Sequence, residues 1–126
     1  MVLSVVIPIY NEIELLDALY QRTFDALSKE TGDFEIIFVD DGSEDRSLEK
    51  LIGFHNSDKR VKVISLSKNF GHPAAITAGL EHASGNFVAM MDGDLQDPPE
   101  VLNQMYHMLI SGEHDIINGR RRSRGE

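Results

Sequence analysis

No cysteine occurs in this sequence, which excludes a disulfide framework and any thiolate metal site and is compatible with a reducing compartment. Long apolar runs are missing as well. The longest are about six residues, against the roughly 20 needed to cross a bilayer. No secretory signal is visible, because Met1 leads directly into a strand-like run. Basic residues are scarce, 12 against 21 acidic ones, for a formal charge of −9. That balance argues against nonspecific binding of nucleic acid by the body of the domain. The few cations are unevenly placed: the tail "GRRRSRGE" holds Arg120, Arg121, Arg122 and Arg124, a third of the Lys and Arg in the chain. It reads either as a solvated tail or as a contact for phosphate or an anionic membrane surface. No internal repeat, low-complexity tract or interior boundary interrupts the 126 residues, of which 41% are hydrophobic. One domain with a real core is therefore expected over 1–126.

What is present is an alternation of two periods. Leu3–Ile9 "LSVVIPI", Glu35–Val39 "EIIFV", Val61–Leu66 "VKVISL" and Asn86–Met91 "NFVAMM" read as strands, with Asp115–Asn118 "DIIN" a shorter fifth. Three are near-continuous apolar runs, the pattern of a parallel sheet covered on both faces. "VKVISL" alternates more, which places it nearer an edge. Between them lie helical stripes. Asn11 is expected to cap a helix carrying Leu15, Leu16, Leu19, Tyr20, Phe24 and Leu27. Ser43 is expected to cap a second, with Glu44 and Asp45 in its first turn. A third runs over Pro73–Ala83, closed by Gly85 as a left-handed cap. A fourth begins at Asp97, with Pro98 in the first helical position and Glu100 completing a capping box. Its methionines are core filling. The β-α-β-α-β-α-β-α-β order predicts an α/β fold: a Rossmann-like, doubly wound, mostly parallel sheet with helices on both faces. Ligands collect at the carboxyl ends of such strands.

Those ends carry "YNE", "DDGSED", "SKNFGHP" and "DGDLQD". Four polar loops in register are hard to explain as solvent-facing turns. Asp92 and Asp94 are two apart, so an extended segment points both the same way. Two close carboxylates repel unless a cation intervenes, and hard oxygen ligands suit Mg²⁺ or Mn²⁺. Gln96 can add an amide oxygen, while Asp97 and Glu100 are better spent on the helix start. The adjacent Asp40 and Asp41 can accept from a base N–H or ligate the metal. Pro8 ends the pairing of its strand, and Tyr10 and Glu12 just beyond it offer an aromatic face and a carboxylate. Lys68 can meet an anion and His72 can donate to a phosphate. A general-base role for His72 is not expected, since nothing marks an orienting partner. Neither a Walker A loop nor a Gly-x-Gly-x-x-Gly fingerprint is present. A bound nucleoside diphosphate must therefore be neutralised by metal and side chains.

"VVIPIYNE", "VDDGSEDRS", "LSKNFGHPAAITAGL" and "MDGDLQDPPE" together resemble family 2 glycosyltransferases of the GT-A fold, most of all the polyprenyl-phosphate branch. That branch includes bactoprenol glucosyltransferases and dolichyl-phosphate mannosyltransferase. The resemblance implies a nucleotide-diphosphate sugar donor of the UDP-glucose kind, a polyprenyl-phosphate acceptor, Mg²⁺ or Mn²⁺, and inversion at the anomeric carbon. It implies that Pro8, Tyr10 and Glu12 line the nucleoside pocket and that Asp41 binds the base with Asp40 nearby. Asp92 and Asp94 become the catalytic and metal-binding Asp-x-Asp motif, assisted by Gln96. Arginines of the tail, Arg120 and Arg122 among them, meet the diphosphate. Relatives continue past the position of Glu126, through an acceptor-binding segment and often membrane helices. The chain is accordingly expected to be the donor-binding portion of an enzyme at the cytoplasmic face of a membrane, itself soluble. The residues leave two rivals open: a glycosyltransferase of cell-surface polysaccharide with a sugar acceptor, and a non-catalytic Mg²⁺-binding signalling or nucleotide-binding domain. The double Asp after the second strand, rather than the first, disfavours the signalling domain.

Overall fold

The computed structural model describes residues 2–96 and 98–111 and the backbone of 116–118. Asp97, Asp115, His114 and the arginines of the tail lie outside the described residues. Among the described residues nine elements follow in order: β1 (Leu3–Ile9), α1 (Leu16–Ser28), β2 (Phe34–Asp40), α2 (Ser47–Ser57), β3 (Val61–Ser65), α3 (His72–Glu81), β4 (Phe87–Met90), α4 (Val101–Ile110) and β5 (Ile116–Asn118). The five strands form one sheet in the order β3-β2-β1-β4-β5, and every neighbouring pair is parallel. The alternating "VKVISL" segment is the edge strand β3, as its weaker apolar run requires.

Continuous apolar runs make sense because β1 and β2 are covered on both sides. On one face Leu3, Val5, Ile7, Ile9, Phe34, Ile36 and Phe38 pack against Leu16, Leu19 and Leu27 of α1, Leu51 of α2 and Leu102, Met105 and Leu109 of α4. On the other, Val6, Ile37 and Val39 pack against Ala75 and the rest of the apolar side of α3. Of the α4 methionines, Met105 is 1% exposed and the partly buried Met108 packs against the same core, so both fill it. At about 25 cal/mol per Å² of apolar area, each buried side chain of this size contributes roughly 1.5–3 kcal/mol before entropy is counted.

The helix starts differ from expectation because the side chains that could cap them are engaged elsewhere, Asn11 and Ser43 between loops and Glu100 with α1. None of the four helices has a side-chain cap hydrogen bond. Asn11 sits in the left-handed region at φ 53, and its Oδ1 accepts from the amides of Glu44 (2.7 Å) and Asp45 (3.3 Å). Ser43 Oγ accepts from the Asn11 amide at 2.9 Å. Glu44 and Asp45 precede α2 rather than filling its first turn. Glu100 turns outward to Arg22 at 2.6 Å. Gly85 is not among the left-handed glycines, which are Gly42 and Gly71; its amide donates to Ser4 Oγ at 2.8 Å. Pro8 does not end all pairing of β1 either. It lies in register with Val39 of β2, and Ile9 follows with Asp40. Only the ladder to β4 stops before it, at Val6.

At the amino ends of the strands a fully buried carboxylate, Glu35, ties four segments together. Its Oε1 pairs with Lys62 Nζ on β3. Its Oε2 accepts from Ser4 Oγ on β1 and from the Ser84 amide at 2.6 Å. Burial pushes the Glu35 carboxyl up, but Lys62, Ser4 and Ser84 together hold it below its ordinary value of 4.5. Its contribution to stability is therefore complete above about pH 4.5 and is lost as pH falls through the lower folded-state value. Glu35→Ala is expected to cost about 3 kcal/mol at pH 7, because it strands buried donors. That deficit should shrink in urea melts as pH is lowered from 5 to 3.

Candidate functional site

The strand order reverses between β1 and β4, since β1 leads outward to β2 on one side and β4 to β5 on the other. A crevice at the carboxyl ends is the geometric consequence. It is a cleft of about 480 Å³ lined by Pro8, Ile9, Tyr10, Glu12, Asp41, Asn69, Gly71, His72, Asp92, Gly93 and Asp94. All four loops singled out by the sequence contribute to it. Of the predicted site residues, Pro8, Tyr10, Glu12, Asp41, Asp92 and Asp94 line this cleft. Asp40, Lys68 and Gln96 are not among its lining residues. Arg120 and Arg122 lie outside the described residues.

Backbone chemistry sets the floor. β4 ends at Met90, and Asp92-Gly93-Asp94 then turns instead of continuing as a strand. The two aspartates therefore share the cleft because of a turn, not because of strand alternation. Gly93 is required there: a Cβ would lie 2.5 Å from Ile9 Cδ1 and 2.9 Å from the Pro8 carbonyl oxygen. Leu95 adopts φ 61, which a leucine rarely takes, and its side chain packs on the main core. The Gln96 amide donates to Asp94 Oδ1 at 3.1 Å. Gln96 thus meets Asp94 through its backbone, with an exposed side chain.

Asp41 is 4% exposed and organises the opposite wall. Its Oδ1 accepts from the Phe70 amide at 2.8 Å and its Oδ2 from the Gly71 amide at 3.0 Å. Asn69 Nδ2 reaches the same carboxylate at 3.3 Å. Gly42, at φ 72, lets this loop approach; a Cβ there would stand 2.3 Å from the Lys68 carbonyl carbon. Asp40 is buried behind, with its Oδ2 accepting from the Ser43 amide at 3.2 Å. Lys68 directs its ammonium over the Phe70 ring, 5.3 Å from the centroid.

The cleft is strongly acidic. Burial raises the Glu12 carboxyl above its ordinary value, and the charges of Asp94, Asp45 and Asp92 raise it further. Among the described residues no group of three or more His, Cys, Asp and Glu is arranged to hold a metal ion. Two carboxylates of one turn lining the same cleft still suit a hard cation that takes its remaining ligands from phosphate and water. The chemistry of the donor set therefore fits Mg²⁺ or Mn²⁺. One lining residue escaped the sequence reading in this role: His72 Nε2 lies 3.0 Å from Asp92 Oδ1. An orienting partner does exist, but it is 20 residues away in sequence, and only the strand order brings the two together.

The glycosyl transferase family 2 profile matches residues 4–126. The chain belongs to glycosyl transferase family 2. Its sequence is 42% identical over 123 residues to an uncharacterized glycosyltransferase, YkcC, of Bacillus subtilis, covering 98% of this chain and 38% of that protein. It is 42% identical over 122 residues to the undecaprenyl-phosphate 4-deoxy-4-formamido-L-arabinose transferase of Yersinia pestis, covering 96% and 37%. The fold superposes on Staphylococcus aureus TarS 1-349, solved in complex with UDP-GlcNAc, with a TM-score of 0.68 and 28% identity over 88% of this chain and 32% of that one. The sheet is accordingly that of a GT-A glycosyltransferase. The chain spans less than two-fifths of the length of these relatives. No helix among the described residues of this family 2 chain is long and apolar enough to cross a membrane.

The raised Glu12 value has a consequence for stability. A carboxyl whose folded-state value lies above its unfolded one opposes folding once it is charged, and not below about pH 4.5. In buffer with a chelator, Glu12→Gln should raise the urea midpoint at pH 7.5 and leave it unchanged at pH 4. An equal shift at both values would mean that charge is not the cause.

Proposed function

We propose that this chain is the donor-binding portion of a divalent-metal-dependent, inverting glycosyltransferase. The enzyme would move a sugar from a uridine diphosphate donor to polyprenyl phosphate. The observation that carries the reading is that Asp41, Asp92 and Asp94, from loops about 50 residues apart in sequence, line one cleft with Tyr10 and Glu12. The Yersinia relative is named for an undecaprenyl-phosphate substrate, and TarS was solved with a UDP-sugar; both support the class of acceptor and donor.

Pro8 and the half-exposed Tyr10 form the wall for the nucleoside. Asp41 takes the edge of the base. A carboxylate offers about four lone-pair sites, and three are already engaged by Phe70, Gly71 and Asn69. One remains, which suits a base presenting a single imide N–H, as uracil does, better than guanine with its two adjacent donors. Asp92 and Asp94 would hold the cation, with Gln96 beside them. When bound, a divalent cation supplies charge neutralisation for the departing diphosphate. A phosphate oxygen of the acceptor forms the new bond to the anomeric carbon, and the old bond from that carbon to the diphosphate oxygen breaks with its electron pair leaving on the nucleotide. A phosphate monoester has a second pKa of about 6, so the attacking oxygen is already ionised near neutral pH and needs no general base. Positioning two anions against their repulsion is the harder task. The tail arginines, Arg120 and Arg122 included, would serve the diphosphate. The full enzyme would work at the cytoplasmic face of a membrane, with its membrane contact made by segments beyond this chain.

Calorimetry with UDP and GDP, with and without Mn²⁺, tests the reading. UDP should bind more tightly than GDP, and Mn²⁺ should strengthen it. Asp94→Ala should remove the metal-dependent gain, at least about tenfold, or roughly 1.4 kcal/mol. No binding of either nucleotide with metal present would overturn the proposal.

A further inference from the structure

Among the described residues lining the cleft, His72 is the one basic side chain, against the carboxylates of Glu12, Asp41, Asp92 and Asp94. Its backbone is held from both sides. Before it, the amides of Phe70 and Gly71 are fixed on Asp41, and Gly71 takes φ 100 to turn the chain into α3. After it, Pro73 occupies the first turn of α3, and the Ala75 amide donates to the Gly71 carbonyl at 3.2 Å. From this anchored position the imidazole crosses the strand-order reversal and meets Asp92 Oδ1 at 3.0 Å. The ring is 41% exposed and the Asp92 side chain only 12%.

The two aspartates of the turn are thus oriented by different means. Asp94 accepts from the Gln96 amide within its own loop, so its geometry travels with that loop. Asp92 is engaged by a side chain from the start of another element. An imidazole carrying its proton on Nε2 donates to Oδ1 while neutral, so the contact needs no net charge on the ring. Outer partners of this kind fix the direction of a ligating carboxylate and govern how tightly it holds a cation.

We infer that His72 is a positioning residue: its Nε2–H fixes the Asp92 carboxylate at the cleft floor and thereby sets the cation affinity of the Asp92/Asp94 pair. The inference rests on the functional reading above, in which those aspartates hold a divalent cation. It makes metal affinity depend on how α3 docks beside β4, a coupling that the Asp-x-Asp motif by itself does not contain.

The test is a Mn²⁺ titration followed by electron paramagnetic resonance, with the full chain and saturating UDP, for wild type, His72→Ala and His72→Gln. His72→Ala should weaken Mn²⁺ binding about 10–100-fold. His72→Gln, whose side-chain amide can donate to the same oxygen, should recover most of that loss. UDP affinity measured in chelator should be the same in all three. Wild-type Mn²⁺ affinity in His72→Ala overturns the inference, and so does a loss of UDP affinity in chelator, which would make His72 a direct ligand of the nucleotide. If His72→Ala does not fold, His72→Leu, which has no donor, takes its place, and wild-type affinity there has the same meaning. Wild-type chain that takes up no Mn²⁺ with UDP sinks the parent reading together with this one, whereas uptake unaffected by substitution sinks this one alone.

Discussion

Everything at the functional end of this molecule follows from the parting of β1 and β4. The two strands pair from Leu3 with Phe87 to Val6 with Met90, and the Met91 amide adds one last bond to the Val6 carbonyl at 3.0 Å. β1 then continues beside β2 through Ile9 and Asp40, with no strand among the described residues on its other side. The backbone that leaves β4 must fold over that exposed flank, and only a glycine can lie so close to Pro8 and Ile9. Asp92 and Asp94 flank that glycine, so their meeting with the loop after β1 is dictated by the sheet rather than by any attraction between carboxylates.

The two ends of the sheet treat a carboxyl group in opposite ways. Glu35 at the amino end is surrounded by donors, and its charge is favoured by the fold. Glu12 at the carboxyl end faces Asp94, Asp45 and Asp92, and its charge is opposed. The same chemical group stabilises one end and strains the other. Such a local conflict, inside a chain whose patterning is otherwise consistent, is the mark of a site shaped for a ligand rather than for stability. A cation between the acidic loops would turn the repulsion into attraction, which ties occupancy of the cleft to its shape.

The strands were legible because burial on both faces leaves a continuous apolar run, and the edge position of β3 because one side of it escapes that demand. The acidic motif was legible because two carboxylates a residue apart, directly after a buried strand, are unfavourable unless a cation or donor accompanies them. The helix starts were not. Asn11, Ser43 and Glu100 are all good capping residues by type, but a side chain that can cap its own helix can equally bond to a neighbouring loop, and sequence does not say which loop is near. The pairing of His72 with Asp92 was hidden for the same reason. It depends on β4 inserting beside β1 rather than beside β3, and nothing local to either residue encodes that choice.

The unused caps and the acidic cleft are two sides of one arrangement. In a parallel sheet with intervening helices, each helix begins at the carboxyl edge of the strand before it, so amino-terminal helix ends and strand-end loops crowd together. Asn11, Ser43, Asp45 and Ser47 lace the loop after β1 to the loop after β2. Asp41 laces the latter to the loop after β3. Asp45 Oδ1 accepts from the first amide of α2 at 2.8 Å, while α1 and α3 begin at this edge without a side-chain cap, where a helix dipole favours negative charge by a few tenths to about 1 kcal/mol. Capping each helix with its own side chain would free the loops from one another and screen those ends. Lacing the loops instead makes three of the four walls of the cleft into one braced unit, against which the fourth, the turn after β4, is positioned by Gly93 from below and by His72 from the side.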